Sequence, residues 1–326
     1  MSEIEDLVQR YKGCMVGAAV GDALGMQVEG LTRSEIEQLR GTDGVVDYGR
    51  APMGHPNHKL LPGQYTDDTE QMILLSESII ERGRFDVQVF SDKLRRWGER
   101  LSARPELNRL VGETSTQAIK NLLNGADWRG SGIPANSCGS AMRAAPIGLS
   151  SRDLSQVVRD ARLSSCPTHT SKGSIAGAVT IATAVYLSLE KTPDEEILSK
   201  IIEVVGGIDK ALRDRLKEIS EMNPAIEELF PGDGVSNSVY ETVPAALFCA
   251  TRYSCFDEAV IAAVKIGGDT DSVACMTGAI TGARHGINAI PRRWRRGLER
   301  AEYIEGLALQ LLEAKRKISK DICNIM

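Results

Sequence analysis

Apolar residues along this chain recur at helical spacing almost from end to end. Over 4–24 they return every third or fourth position, and Gly13, Gly17, Gly21 and Gly25 fall on one face. Glycine at every fourth position lets another backbone approach closely. In a membrane that spacing suggests helix dimerisation; in a short segment holding Asp22 it predicts close packing inside a protein core. The same period predicts helices over 71–82, 85–101, 112–123, 154–163, 174–189, 194–205, 208–221, 243–250, 257–266, 271–285 and 292–316. Strand signals are thin. Val45-Val46-Asp47-Tyr48 is the only short candidate, and strands do not alternate with helices as a doubly wound sheet requires. Stretches 48–64, 124–138 and 231–238 are rich in Gly, Pro, Asn and Asp and read as ordered loops. No sequence repeat or low-complexity linker divides residues 1–326, so one all-α domain of many helices is expected.

Composition supports a packed core. Hydrophobic residues make up 42% of the 326 and charged residues 25%, as in ordinary globular chains. Aromatics are only 5% against 31 glycines, so small residues must do part of the packing. The net charge of −5 does not draw the chain onto nucleic acid or an anionic membrane surface. Arg292, Arg293, Arg295, Arg296 and Arg300 surround Trp294, but Glu299, Glu302 and Glu305 follow, and the cluster reads as a solvated helix face. The seven cysteines are odd in number and form no CxxC. Several lie in apolar runs, such as Phe248-Cys249-Ala250, and read as small buried residues in a reducing compartment. Glu3, Glu5 and Asp6 make the N-terminus unlike a signal peptide. No apolar run reaches the roughly 18 residues of a membrane span. A cytoplasmic location with no membrane partner is the expectation.

Four segments carry the chemistry. The first is Tyr65-Thr66-Asp67-Asp68-Thr69-Glu70, at a loop-to-helix junction. One reading is a helix cap, with Asp67 and Glu70 as a variant capping box. That reading has no use for two adjacent carboxylates, which repel unless something positive lies near them; a hard divalent cation is the alternative. The second is Gly267-Gly268-Asp269-Thr270-Asp271-Ser272, which also precedes an apolar helix and lacks EF-hand spacing. Capping by Asp269 or Asp271 competes with cation binding here too. Both motifs place carboxylates and hydroxyls at a helix start, where ionised carboxylates are favoured, so both are expected to stay deprotonated. The third runs from Val16 to Gly25 and on to Glu29. Asp22 inside it reads as a buried carboxylate tied to backbone donors; Glu29 is the functional candidate. The fourth is Asn136-Ser137-Cys138-Gly139-Ser140-Ala141-Met142-Arg143, whose small residues would let backbone N–H groups approach a phosphate. Arg143 there reads as the partner of a buried acid. No Walker loop or G-x-G-x-x-G is present. His169 stands among only four histidines, and His55 and His58 lack the further ligands a zinc site needs.

Together these segments resemble the ADP-ribosylglycohydrolase family, which includes dinitrogenase reductase-activating glycohydrolases and the ADP-ribosylarginine and ADP-ribosylserine hydrolases. The resemblance spans nearly the whole chain. It implies an all-α fold with two Mg²⁺ or Mn²⁺ ions in a central cleft, held by Thr66, Asp67, Asp68, Asp269, Asp271 and Ser272. The last position is often Thr in the family, and Ser keeps its hydroxyl. The resemblance further implies a mobile acidic residue over the ions at Glu29. Ser137, Cys138, Gly139, Ser140, Met142 and His169 would then line an ADP-ribose groove. The family often has Gly where Ser137 or Cys138 stands, which leaves the phosphate contacts open. The implied reaction is hydrolysis at the distal ribose C1″ of an ADP-ribosylated protein, through an oxocarbenium-like transition state. Asp67, Asp68, Asp269 or Glu29 would move the proton. The alternatives are hydrolysis of another ADP-ribose compound, such as poly(ADP-ribose) or O-acetyl-ADP-ribose, a metal phosphohydrolase, or a non-catalytic relative.

Overall fold

A computed structural model describes residues 2–221, 229–230, 232 and 234–323 of the chain. Its α-helices are, in order, α1 (Glu3–Gly25), α2 (Arg33–Arg40), α3 (Asp67–Arg82), α4 (Val87–Ala103), α5 (Glu113–Leu123), α6 (Ala145–Ser150), α7 (Leu154–Ser165) and α8 (Lys172–Leu189). They continue with α9 (Asp194–Gly206), α10 (Lys210–Glu221), α11 (Val239–Arg252), α12 (Phe256–Lys265), α13 (Thr270–His285), α14 (Arg292–Gly297) and α15 (Ala301–Cys323). The all-α expectation holds. Among the described residues there are only isolated bridges, Ile133 with His169, Ser137 with Ser238 and Val235 with Gly268.

The glycine stripe of α1 sets the centre of the molecule. α1 begins at a capping box made by Ser2 and Glu5 and is buried from Gly13 onward. Its stripe lies directly on the backbone of α13. A Cβ at Gly17 would fall 2.3 Å from the Gly278 carbonyl oxygen, and one at Gly21 would fall 2.0 Å from that of Ala274. Gly13 meets Gly282, and Gly25 meets Thr270, so the two helices run antiparallel. Any side chain on this face would force them apart. The register has a consequence for the site: it brings the C-terminal end of α1 against the N-terminal end of α13. α8, α11, α12 and α15 pack around this pair.

Three local expectations change. Val45–Tyr48 is not a strand: the Val46 carbonyl is taken by Trp294 Nε1 (3.1 Å) and Arg293 (3.1 Å) instead of a neighbouring strand. The helix expected over 292–316 is two helices, broken around Arg300, whose φ is +53°. The break lets Glu299 N donate to Gly63 O (2.9 Å) and lets the Glu299 carboxylate take both ends of Arg109 (2.5 and 3.0 Å). Arg292, Arg293, Arg296 and Arg300 are exposed, as a solvated face should be. Lastly, α8, with 18 residues, is long and apolar enough to cross a membrane, which no run in the sequence was expected to be. Most of it is buried within the protein, where it packs on α6, α7 and α13.

Candidate active site

The site is assembled where three helix ends meet. Asp22, near the end of α1, is fully buried and accepts four hydrogen bonds from the start of α3. Its Oδ1 takes Thr66 N (2.9 Å) and Thr66 Oγ1 (3.0 Å); its Oδ2 takes Thr69 N (3.0 Å) and Thr69 Oγ1 (2.6 Å). A carboxylate has room for four such donors, so Asp22 serves as a cap supplied from another helix. Thr66 is the local N-cap, accepting from Asp68 N at 3.4 Å. The Asp67–Glu70 capping box does not form: Glu70 instead receives Trp97 Nε1 (3.2 Å) and faces Arg109. Asp67 and Asp68 thereby take no part in capping the helix with Glu70, and both are buried.

On the opposite wall, Gly268 (φ +77°) turns the chain into α13; a Cβ there would sit 1.9 Å from Val235 O. Asp269 occupies the N-cap position, yet its side chain makes no capping bond. It accepts the Cys138 thiol proton at 3.1 Å instead. Asp271 accepts from Ser272 N (2.9 Å), and Ser272 Oγ reaches the Met142 sulfur (3.9 Å). Glu29 lies in the loop after α1. Asn57 Nδ2 donates to its Oε2 (2.7 Å) and to Met26 O (2.8 Å), and His55 Nε2 lies 2.6 Å from Glu29 O.

Six carboxyls therefore share one enclosure: Asp22, Glu29, Asp67, Asp68, Asp269 and Asp271. Among the described residues none of them forms an ion pair with a basic side chain. Burial is the leading cause that raises every one of their pKa values; neighbouring carboxylates add to it for Glu29, Asp67, Asp68 and Asp271. Glu29 is pushed up to about 7, by burial and then by Asp269, against the Asn57 bond that lowers it. Burial acts against the helix dipole at both motifs: desolvation disfavours the charged form of a carboxyl, whereas a helix start favours it. Asp68 Oδ2 is buried with no hydrogen-bond partner. Among the described residues, no three His, Cys, Asp or Glu side chains form a ready-made cation cage.

The fourth segment lies beside this enclosure. His169 is 1% exposed; its Nδ1 is 2.8 Å from Thr168 Oγ1 and its Nε2 is 3.0 Å from Ser137 Oγ. Burial, then the Arg143 charge, lowers its pKa to about 3, so the ring is neutral. Gly139 packs on that ring: a Cβ there would lie 2.8 Å from His169 Cε1. Cys138 N already donates to Asn237 O (3.0 Å), and the fully buried Ser140 donates its hydroxyl to Ser174 O (3.0 Å). Both protons are thus engaged within the protein. Met142 lies under Ser272. Arg143 is fully buried as expected, but its partners are neutral groups, not an acid. Cys255 is exposed, in contrast to the buried Cys14, Cys138, Cys249 and Cys275; the side chain of Cys323 lies outside the described residues.

Four contributing residues escaped the reading of the sequence. Gln71 donates to Asp67 Oδ2 (2.7 Å), Asn57 holds Glu29, and Thr114 accepts from Ser137 (3.0 Å). Arg109 donates to Tyr65 O (2.9 Å) just before Thr66. Only Asn57, between two histidines already noted, had a signal in the chain.

An all-helical chain whose central helix ends gather carboxylates and hydroxyls has the architecture and residue types of the ADP-ribosylglycohydrolases. The ADP-ribosylglycohydrolase family model matches residues 3–320, and the chain belongs to that family. An uncharacterized protein of Archaeoglobus fulgidus is 40% identical over 318 residues, covering 96% of this chain and 99% of its own. The ADP-ribosylarginine hydrolase Tri1 of Serratia proteamaculans is 31% identical, covering 93% of this chain and 79% of its own. The ADP-ribosylhydrolase ARH3 of Homo sapiens is 27% identical, covering 93% of each. A solved structure described as an ADP-ribosylglycohydrolase-related protein complex superposes with a TM-score of 0.77 at 30% identity, covering 95% of this chain and 99% of that one.

Proposed function

We propose that the chain hydrolyses the bond between the distal ribose C1″ of an ADP-ribosyl group and a protein side chain, and so reverses mono-ADP-ribosylation. One observation carries the reading: six clustered carboxyls without a basic partner among the described residues, four of them (Asp22, Asp67, Asp68 and Asp271) buried, with Asp68 Oδ2 left unpartnered. Buried charge of one sign is costly unless a counter-charge enters. The donors are carboxylate and hydroxyl oxygens, which suit hard cations such as Mg²⁺ or Mn²⁺. Thr66, Asp67, Asp68, Asp269, Asp271 and Ser272 would hold two such ions. When bound, the ions supply electrophilic polarisation and lower the pKa of water at the site.

The chain's own side chains do the rest. Glu29, pinned by Asn57 beside the acidic cluster, exchanges a proton with the reacting oxygen or nitrogen. Ser137, held from behind by the neutral His169, presents an uncharged hydroxyl oxygen to the ADP-ribosyl group. Arginine is the first acceptor to test, because the Serratia relative bears that name.

The test is product release from matched arginine- and serine-ADP-ribosylated peptides, with Mg²⁺ and with EDTA. Intact ADP-ribose released only with the cation supports the reading and identifies the linkage. AMP or phosphate as product would make the chain a phosphohydrolase. No release from either peptide by cation-loaded protein would shift the reading to a small ADP-ribose compound or a non-catalytic role.

A further inference from the structure

Arg143 is fully buried behind the acidic cluster, and its charge interacts with that of Asp67. Burial lowers its pKa to about 9, still well above neutrality. It donates to Gln71 Oε1 through one terminal nitrogen, and to Ser164 O (3.1 Å) and Thr168 Oγ1 (2.6 Å) through the other. The Phe90 ring covers it at 5.1 Å. A guanidinium donates and never accepts, so it dictates the polarity of whatever it touches.

The Gln71 amide must turn its oxygen to Arg143. Its NH₂ is then committed to Asp67 Oδ2 at 2.7 Å. The reversed amide would set NH₂ against a cation and oxygen against a carboxyl, so chemistry fixes the assignment. On the other branch, Thr168 Oγ1 accepts from Arg143 and has one proton of its own. It has two candidate acceptors, Ser165 O at 3.4 Å and His169 Nδ1 at 2.8 Å; the shorter contact favours the imidazole. Nδ1 then accepts, the ring proton sits on Nε2, and Nε2 donates to Ser137 Oγ at 3.0 Å. Ser137 passes its own proton to Thr114 Oγ1 at 3.0 Å.

We infer that Arg143 is the positioning residue that sets hydrogen-bond direction in both halves of the site, orienting Asp67 through Gln71 and fixing the tautomer of His169 through Thr168. The Asp67 arm rests on the cation reading proposed above; the His169 arm does not. The two branches leave from different nitrogens of one planar group, an arrangement a lysine cannot reproduce.

Proton–nitrogen correlation NMR on the four histidines of the metal-free protein reads the tautomer, and calorimetric titration with Mn²⁺ reads the cation site. In the unmodified chain His169 should be neutral with its proton on Nε2. Thr168→Val keeps shape and removes the hydroxyl; it should release the His169 tautomer and leave Mn²⁺ affinity unchanged. Gln71→Met should do the opposite, leaving His169 as it was and weakening Mn²⁺ binding by roughly 10–100-fold, as loss of a group behind a metal ligand does. Arg143→Lys should change both readouts; if it does not fold, the two branch variants still decide. An Nδ1-protonated His169 in the unmodified chain overturns the His169 arm. Unchanged Mn²⁺ affinity in Gln71→Met overturns the Asp67 arm. Branch variants that move both readouts together reduce Arg143 to a packing role. Unmodified protein that takes up no Mn²⁺ sinks the cation reading and the Asp67 arm with it, while the tautomer settles the His169 arm alone.

Discussion

Gly21→Ala pits two effects of opposite sign against each other. Alanine is the better helix former by about 1 kcal/mol, and in an open helix that gain is realised. At Gly21 the new methyl would fall 2.0 Å from Ala274 O, 2.4 Å from Ala274 C and 2.8 Å from Cys275 N. All three are backbone atoms and cannot rotate away. Non-bonded carbons settle at roughly 3.5–4.0 Å, so α1 and α13 must part by about an ångström or more, with loss of a quarter to a half of each contact's attraction along the seam. Overpacking costs about 1–3 kcal/mol, and the rigidity here puts it at the upper end. The net expectation is destabilisation by about 1–2 kcal/mol after the propensity gain. Gly306 in α15 is the internal control: a Cβ there meets nothing within 4 Å. Gly306→Ala should stabilise by roughly 0.5–1 kcal/mol. Urea denaturation midpoints of the two variants give the answer directly. Equal or greater stability of Gly21→Ala relative to Gly306→Ala would refute the seam argument.

Asp22→Ala removes the acceptor of four hydrogen bonds and strands the backbone N–H groups of Thr66 and Thr69, at about 1–3 kcal/mol each; an unchanged denaturation midpoint would show that α3 does not depend on this cap. The metal-free protein should lose stability as pH rises from about 4.5 to about 7. Glu29 has its pKa raised in the fold, so in that window the native state holds more protons than the unfolded chain; a flat or rising melting temperature across the window contradicts this. Cation uptake near neutral pH should release protons, since protonated carboxyls must give them up to bind. Titration of Mn²⁺ in two buffers of different ionisation enthalpy counts them, and a count of zero would mean the carboxyls are already ionised. Asp271→Ala should abolish cation uptake with its near-ultraviolet circular dichroism intact; retained uptake would remove Asp271 from the ligand set.

How much was legible in the chain follows from what each feature depends on. Long amphipathic helices announce themselves by period, and most appear close to their expected places. α6 does not, because its six residues are all buried and have no polar face to contrast with an apolar one. α2 was missed although Thr32 and Glu35 form the reciprocal capping box that marks a helix start. The break before α15 depends on Glu299 reaching Gly63 and Arg109, partners far off in sequence. The two acidic motifs stood out because adjacent carboxylates are conspicuous in any sequence. Asp22 was read correctly as a tied carboxylate, but its partners on α3 were invisible. Gln71, Thr114 and Arg143 owe their roles to polarity relations that exist only once the chain has folded.

The pairing of α1 with α13 also constrains the order of events during synthesis. α1 leaves the ribosome some 245 residues before its partner and is buried along most of its length in the finished protein, and the surface that meets its glycine face belongs to residues 270–286. Until then α1 has nothing to pack its glycine face against, and the carboxyls it helps to gather stay apart. Contacts of such long sequence separation slow folding and leave apolar surface open to wrong partners. Truncated chains ending before α13 should therefore bind chaperones and aggregate, however complete the helices they already contain.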